Sequence, residues 1–480
     1  MPIIFDQLRG LADSKHSGIA GSVAALVGVD IHSTPGLTKI NQKLTKDSAT
    51  TITALCRVAV AISNGMTIWF SYTDGKIWSR TTAGVWTLVW TTTPAAGNAE
   101  CLGASEFNGR LYWATQSRLH YIAVGATMDT AAYWTTNATE DTATFTKTDS
   151  EFHPMVIQSG KLFIGDGNQV AKVTSAFAFT ASALDILAPN RIKTMEKFDI
   201  DIIYGTFVHA NVNHCEVGRW DTVSTSWTVS DPIDENGVNA FIRDDNFVYA
   251  QCGTFGKIYF YDGSQLVPFT RIPGTWSPTS YGEIFPGSVA THLTMPVFGL
   301  SNGSGNPALQ GVYRFGSYSK NYPKVMDLSF PISNSSTLQT LSIGAILAVG
   351  ADLFVSWQDG STYGVDKLDW SNKYASAYIE TMVLTASGER SELKTVLKIF
   401  ANYHSLPTST DISFKYKIIH ETSFSSAVTV LTDAQRMQKR AEITINDAAA
   451  LQLRLDFTVS SNNAPEIESV GFEDNLPRRT

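Results

Sequence analysis

The stretch His209-Ala-Asn-Val-Asn-His-Cys-Glu216 gathers side chains that readily ligate a transition metal. On a strand, successive side chains alternate between faces, so His209 and His214 point to opposite sides and do not share an ion. Asp231-Pro-Ile-Asp-Glu-Asn-Gly237 is rich in the oxygen ligands Ca²⁺ takes, but it lacks the every-other-residue spacing of a calcium loop and reads as a turn. Arginines could clamp a carboxylate. Arg57, Arg80, Arg110, Arg219, Arg314 and the Arg271-Ile-Pro273 run are scattered, and nothing in their spacing gathers them at one point. No phosphate-cradling glycine loop, H-E-x-x-H or G-x-S-x-G occurs. Cys56, Cys101, Cys215 and Cys252 lie far apart with no CxxC pair, and are expected as buried thiols. The sequence therefore predicts no catalytic residue, no metal and no cofactor, and a protein that is not an enzyme.

Two stretches share a different pattern: Ser71-Tyr-Thr-Asp-Gly-Lys-Ile-Trp78 and Ser356-Trp-Gln-Asp-Gly-Ser-Thr-Tyr363. In each, Asp-Gly follows the Ser by three residues and an aromatic follows the Gly by three. This resembles the Asp-box of sialidase-like propellers, with the Asp one place late, where the family's position holds Thr73 or Gln358. The resemblance implies a hairpin between outer blade strands, with Gly75 and Gly360 in a positive-φ turn and the aromatic plugging the blade. Ser71, Asp74, Gly75, Trp78, Ser356, Asp359, Gly360 and Tyr363 are accordingly expected as structural turn residues. A sialidase-like hydrolase would also need converging arginines and an activated Tyr with a carboxylate partner; it stands as an alternative, as does a glycan- or receptor-binding propeller.

The elements that would carry these turns form a loose repeat. Asn64-Gly-Met-Thr-Ile-Trp-Phe70, Asn108-Gly-Arg-Leu-Tyr-Trp113, Ser159-Gly-Lys-Leu-Phe-Ile164, Asp245-Asn-Phe-Val-Tyr-Ala250 and Gly350-Ala-Asp-Leu-Phe-Val355 each place a turn before a short apolar-aromatic strand. A second strand follows a few residues on. Phe198 to Tyr204 fits more loosely, and Ser288 to Ser333 shows the pattern poorly. Adjacent copies lie about 40 to 50 residues apart, the period of a propeller blade. A single blade cannot hide its two apolar faces, so blades must stack until a ring closes. The spacing predicts about seven blades over residues 51–372.

From Tyr374 the pattern changes. Ile412-Ser-Phe-Lys-Tyr-Lys-Ile418 and Leu451-Gln-Leu-Arg-Leu-Asp-Phe-Thr-Val459 alternate apolar and polar residues, as strands with one buried face do. The fold class is therefore all-β, a β-propeller followed by a small β-sandwich or jelly-roll-like domain over residues 373–480. Thr432 to Arg440 is the one helix expected there, with Thr432 as its N-cap.

Composition agrees. Of 480 residues, 43% are apolar and only 17% charged, enough to build a large core, and 25 Phe, 17 Tyr and 11 Trp suit pleated surfaces. A formal net charge of -8 argues against a basic nucleic-acid grip but permits DNA to pass without sticking. Ile19 to Val29 is too short and Gly-rich to span a bilayer, and Met1-Pro-Ile-Ile-Phe-Asp has no secretory n-region, so synthesis in the cytoplasm is expected. Arg478-Arg479 read as solvated.

Residues 1–50 are polar, Gly/Ser-rich and read as an extended assembly segment. They contain Ser33-Thr-Pro-Gly-Leu-Thr-Lys39, of which Ser33, Pro35, Gly36 and Lys39 carry the pattern. This lead, followed by a propeller and a small β-domain, resembles the nozzle or hub (packaged-DNA-stabilisation) proteins of short-tailed bacteriophages. The resemblance implies a structural virion protein, a homo-oligomer around the tail axis. Its partners would be a portal or adaptor ring and other tail proteins, with DNA retained and then conducted without sequence-specific binding. It implies location in the virion tail and no membrane span.

Overall fold

In the computed structural model the described residues are 3–5, 8–12, 22–34, 36–48, 52–92, 100–147, 150–208, 213–245, 247–273, 282–302, 311–317, 324–334, 340–385, 396–418, 421–426, 429–431, 440–443 and 450–474. His209, Pro35 and Arg478-Arg479 lie outside them, as does the helix expected from Thr432 to Arg440 except for Arg440, which begins a strand, Arg440–Ile443. The described chain is almost wholly strand, with a short helix, Ala131–Asn137, inserted in the second blade. That helix starts at Thr130, whose hydroxyl accepts from the Tyr133 N–H, and it buries Trp134 against Trp113.

The repeat is a ring of four-stranded antiparallel units. The first comprises Cys56–Ala61, Thr67–Ser71, Lys76–Arg80 and Trp86–Thr91. The second begins at Gly103–Phe107, the third at Met155–Gln158, the fourth at Asn190–Phe198 and the fifth at Val238–Asp244. These five stand alone as sheets. A sixth unit, Val289–His292, Met295–Asn302, Gly311–Gly316 and Val325–Phe330, joins a seventh that begins at Leu341–Val349. As hydrogen-bonded sheets the ring has six members rather than the seven expected from spacing, because an Asn302–Leu341 pair stitches the last two units together. The innermost strands neighbour one another around the ring, and Leu341–Val349 closes it against Cys56–Ala61.

Turn chemistry explains why the strands fold back as they do. Asn108-Gly109 and Ser159-Gly160 take φ of 50°/76° and 50°/70°, the left-handed pair of a tight hairpin. Close approach explains Gly103: a Cβ there would sit 1.8 Å from the His153 carbonyl oxygen of the next blade. Between blades the strands meet through buried aromatics, with Trp69, Trp78 and Trp86 of the first unit packing on Phe354 and Val365 of the last. Full burial of such a side chain contributes about 1.5–3 kcal/mol.

The N-terminal segment is woven through both domains. Gln42–Lys46 pairs with Thr362–Lys373 and is the outermost strand of the seventh unit. Val23–Val27 pairs with Tyr378–Thr381 of the sandwich and, through Val27 and Leu328, with the sixth unit. Ile3–Phe5 extends the other sandwich sheet, beside Ile467–Asp474. The expected division at residue 50 thus does not coincide with the sheets. The polar strand Gln42–Lys46 leaves no apolar signature in the sequence, yet it completes the last unit of the ring.

The sandwich itself follows the alternation. Ile412, Phe414, Leu451, Leu453, Leu455 and Phe457 all face one buried core with Val23, Leu26, Ile379 and Tyr403.

Candidate functional site

The Asp-box-like turns sit between the second and third strands of their units and serve the fold. The Ser71 hydroxyl is fully buried beside the Cys56 thiol, and the Asp74 carboxylate accepts from the Thr53 hydroxyl at 2.5 Å. Gly75 and Gly360 take φ of 64° and 58°, while Trp78 is buried in the seam between the first and last units and Tyr363 packs against it. Asp359 accepts from the Asn334 amide at 2.9 Å and the Thr340 N–H at 3.3 Å.

The arginines do not converge. Arg80 pairs with Asp47, Arg219 with Asp201 and Arg314 with Asp30, each in a different unit, and Arg110 lies over Phe177. Arg271 donates to the Phe255 carbonyl. His214 pairs with Glu216 at 3.4 Å near the surface. The Asp231–Gly237 stretch, expected as a turn, is strand up to Ile233 and turns only after it; Asp231 accepts from the Leu266 N–H, and Glu235 binds Lys257 and Tyr259. Among the described residues no group of three or more His, Cys, Asp or Glu could hold a metal. The four thiols are free and buried, and burial pushes Cys56, Cys101 and Cys215 up to about 12.

The middle of the ring is filled on the face where blades connect to one another. Arg57 of the first unit lies between the rings of Tyr72 (3.6 Å) and Phe285 (4.3 Å), the latter from the start of the sixth unit. Lys193 donates to Glu283 at 2.5 Å and to Asn239 at 2.7 Å, and its ammonium lies 5.1 Å from the Phe152 ring. The space left beside Arg57, Leu102 and Phe152 is about 40 Å³.

A much larger cavity, about 500 Å³, opens where the N-terminal segment crosses the sixth and seventh units. Ser33 and Lys39 of the Ser33–Lys39 motif line it, and Gly36, at φ 72°, turns the chain between them. Opposite stand His292, Arg314, Trp370 and Lys373. The Arg314 guanidinium donates to Asp30 at 3.0 Å and lies over Phe330. Burial would raise the Asp30 carboxyl, but Arg314, the Ser33 hydroxyl and the His32 and Ser33 N–H groups hold it down to about 2.

Two imidazoles line the same cavity. His32 donates from Nε2 to the fully buried Asp327 at 2.6 Å, and His292 donates from Nε2 to the Ala351 carbonyl at 2.9 Å. Both are almost wholly buried, and the Nδ1 of each has no partner among the described residues. Burial lowers the His292 pKa, with the Arg314 charge adding to that effect, so the ring stays neutral at physiological pH. Ser33 and Lys39 stand out in the sequence, whereas His32, His292, Arg314, Trp370 and Lys373 carry no common signal there, because they come from four segments far apart in the chain.

No protein-family model and no curated protein matches the chain. Among solved structures it is similar to catalytically inactive virginiamycin B lyase from Staphylococcus aureus with quinupristin. Identity there is 13% over 68% of this chain and 98% of that one, with a TM-score of 0.47. It is also similar to the extracellular domain of a protein described as a one component system from B. thetaiotaomicron, at 15% identity and TM-score 0.46. That match covers 85% of this chain and 48% of the other, so the chain spans about half of its length. A third, the computationally designed Ika8 protein, is 10% identical over 71% of this chain and 97% of its own, with a TM-score of 0.40.

Proposed function

We propose that the chain is a structural subunit of a tailed-phage virion, assembled in several copies around the tail channel that retains and then conducts DNA. The observation that carries this reading is the distribution of exposed apolar side chains. In a propeller, the turns joining first to second and third to fourth strands lie on one face. Val85, Phe177, Ile200, Val223, Phe247, Leu293 and Trp370 all belong to that face, seven of the eleven large apolar residues exposed among the described ones. A soluble surface that concentrates apolar tips on one side is suited to contact other proteins.

Two further features support an assembly role. Shared N-terminal strands tie propeller and sandwich into one body, as a building block requires. With Arg57, Phe285 and Lys193 filling the ring's middle, DNA would run along an axis between copies, where a net charge of -8 per chain keeps it from adhering. The partners proposed are further copies of the chain, a portal or adaptor ring and other tail proteins. Among the described residues no helix is long and apolar enough to cross a membrane.

The test is complementation of a phage deleted for the chain with the double variant Ile200→Asp, Val223→Asp. Both positions are turn tips outside any core, so the variant should melt like the parent yet fail to enter particles. Parental plaque titre from the double variant would contradict the reading.

A further inference from the structure

We propose that the cavity between the N-terminal segment and the last two blade units binds an acidic sugar, a pyranose ring bearing a carboxylate. The site shares Leu293 and Trp370 with the face proposed for assembly; a chain that binds the sugar but never enters particles, or the reverse, separates the two roles.

Its charge balance selects an anion. Lys39, Arg314 and Lys373 line the cavity against a single lining carboxylate, Asp30, in a chain whose overall charge is negative. Asp30 engages Arg314 through Nη1. Lys39 lies 3.7 Å from Glu466, both partly exposed. The Lys373 ammonium, partly buried, lies within the field of Asp30, Lys39 and Glu466. A carboxylate entering here would meet cations already held in place by the fold.

Its apolar lining selects more than an anion. Trp370, 45% exposed, lines the cavity with Leu293, and its indole face suits the C–H face of a sugar ring, which inorganic phosphate lacks. About 500 Å³ is within the size range of small-molecule sites.

The experiment is saturation-transfer NMR and calorimetry on the full chain with D-glucuronate, D-galacturonate and N-acetylneuraminate, alongside D-glucose and inorganic phosphate. At least one acid should bind about tenfold or more tighter than glucose and phosphate, the scale of one charge-assisted contact. Trp370→Ala and Lys373→Gln should each weaken that binding about tenfold without moving the unfolding midpoint, since neither side chain is part of a core. Transfer to none of the three acids would overturn the proposal. So would phosphate binding as tightly as the best acid, or affinity unchanged in both variants.

Discussion

The Cys56 backbone N–H donates to the Ser356 hydroxyl at 3.1 Å, joining residues 300 apart in the chain. This bond crosses the seam where the first blade meets the last, inside the cluster of Trp69, Trp78, Trp86 and Phe354. It is the point at which a linear repeat becomes a ring. Ser356→Ala leaves a buried N–H without its acceptor, which costs about 1–3 kcal/mol. Guanidinium unfolding should show a lower midpoint with an unchanged slope; an unaltered midpoint would mean that the hydroxyl contributes nothing to closure.

The same seam predicts what truncation does. Residues 1–50 include Gln42–Lys46, the outer strand of the seventh unit, whose backbone pairs along Thr362–Lys373. Removing them exposes a sheet edge and uncovers Leu44's place in that core. Deletion of 1–50 should therefore lower the thermal midpoint of the propeller markedly, while deletion of 1–21, which spares this strand, should lower it much less. Circular dichroism melts of the two truncations make the comparison.

Packing between blades gives a third expectation. At Gly103 a methyl group would overlap the His153 carbonyl oxygen, a backbone atom that cannot swing aside. Gly103→Ala must push the second and third inner strands apart, and overpacking of this kind costs about 1–3 kcal/mol. Chemical denaturation of the variant measures it.

Asp30 makes stability depend on pH. Its carboxyl is held at about 2 in the folded chain against an ordinary value of 3.8. The folded-state value is the lower one, so the contribution is fully present above 3.8 and disappears as pH falls through about 2. The shift corresponds to about 2 kcal/mol at neutral pH. Asp30→Asn should be less stable than the parent at pH 7, and the gap should close between pH 4 and pH 2. A gap that stays constant over that range would show that Arg314 does not stabilise the Asp30 charge.

What the sequence revealed follows from where each signal resides. Hairpins with Asn-Gly or Ser-Gly were legible because the turn needs positive φ at both residues, and the sandwich was legible because Ile412, Phe414 and Leu451 to Phe457 alternate with one buried face. The sixth unit was obscure because its first turn places Leu293 and Thr294 at φ 47° and 69°, where no glycine announces it. The closing strand, Gln42-Lys-Leu-Thr-Lys46, buries only Leu44 and holds its place by backbone pairing, which leaves no apolar period. The helix Ala131–Asn137 is too short to show a period. The cavity was invisible as a unit because His32, His292, Arg314 and Lys373 meet only after the ring has closed.

The central claim, that this propeller is built into a phage tail, is tested most directly by electron cryo-microscopy of tailed particles purified from the host carrying the gene, with peptide mass spectrometry of the same sample. The account predicts peptides of the chain at a fixed copy number per particle, and density for the propeller and sandwich arranged around the tail axis. Particles that lack the chain while it accumulates free in the lysate would contradict it.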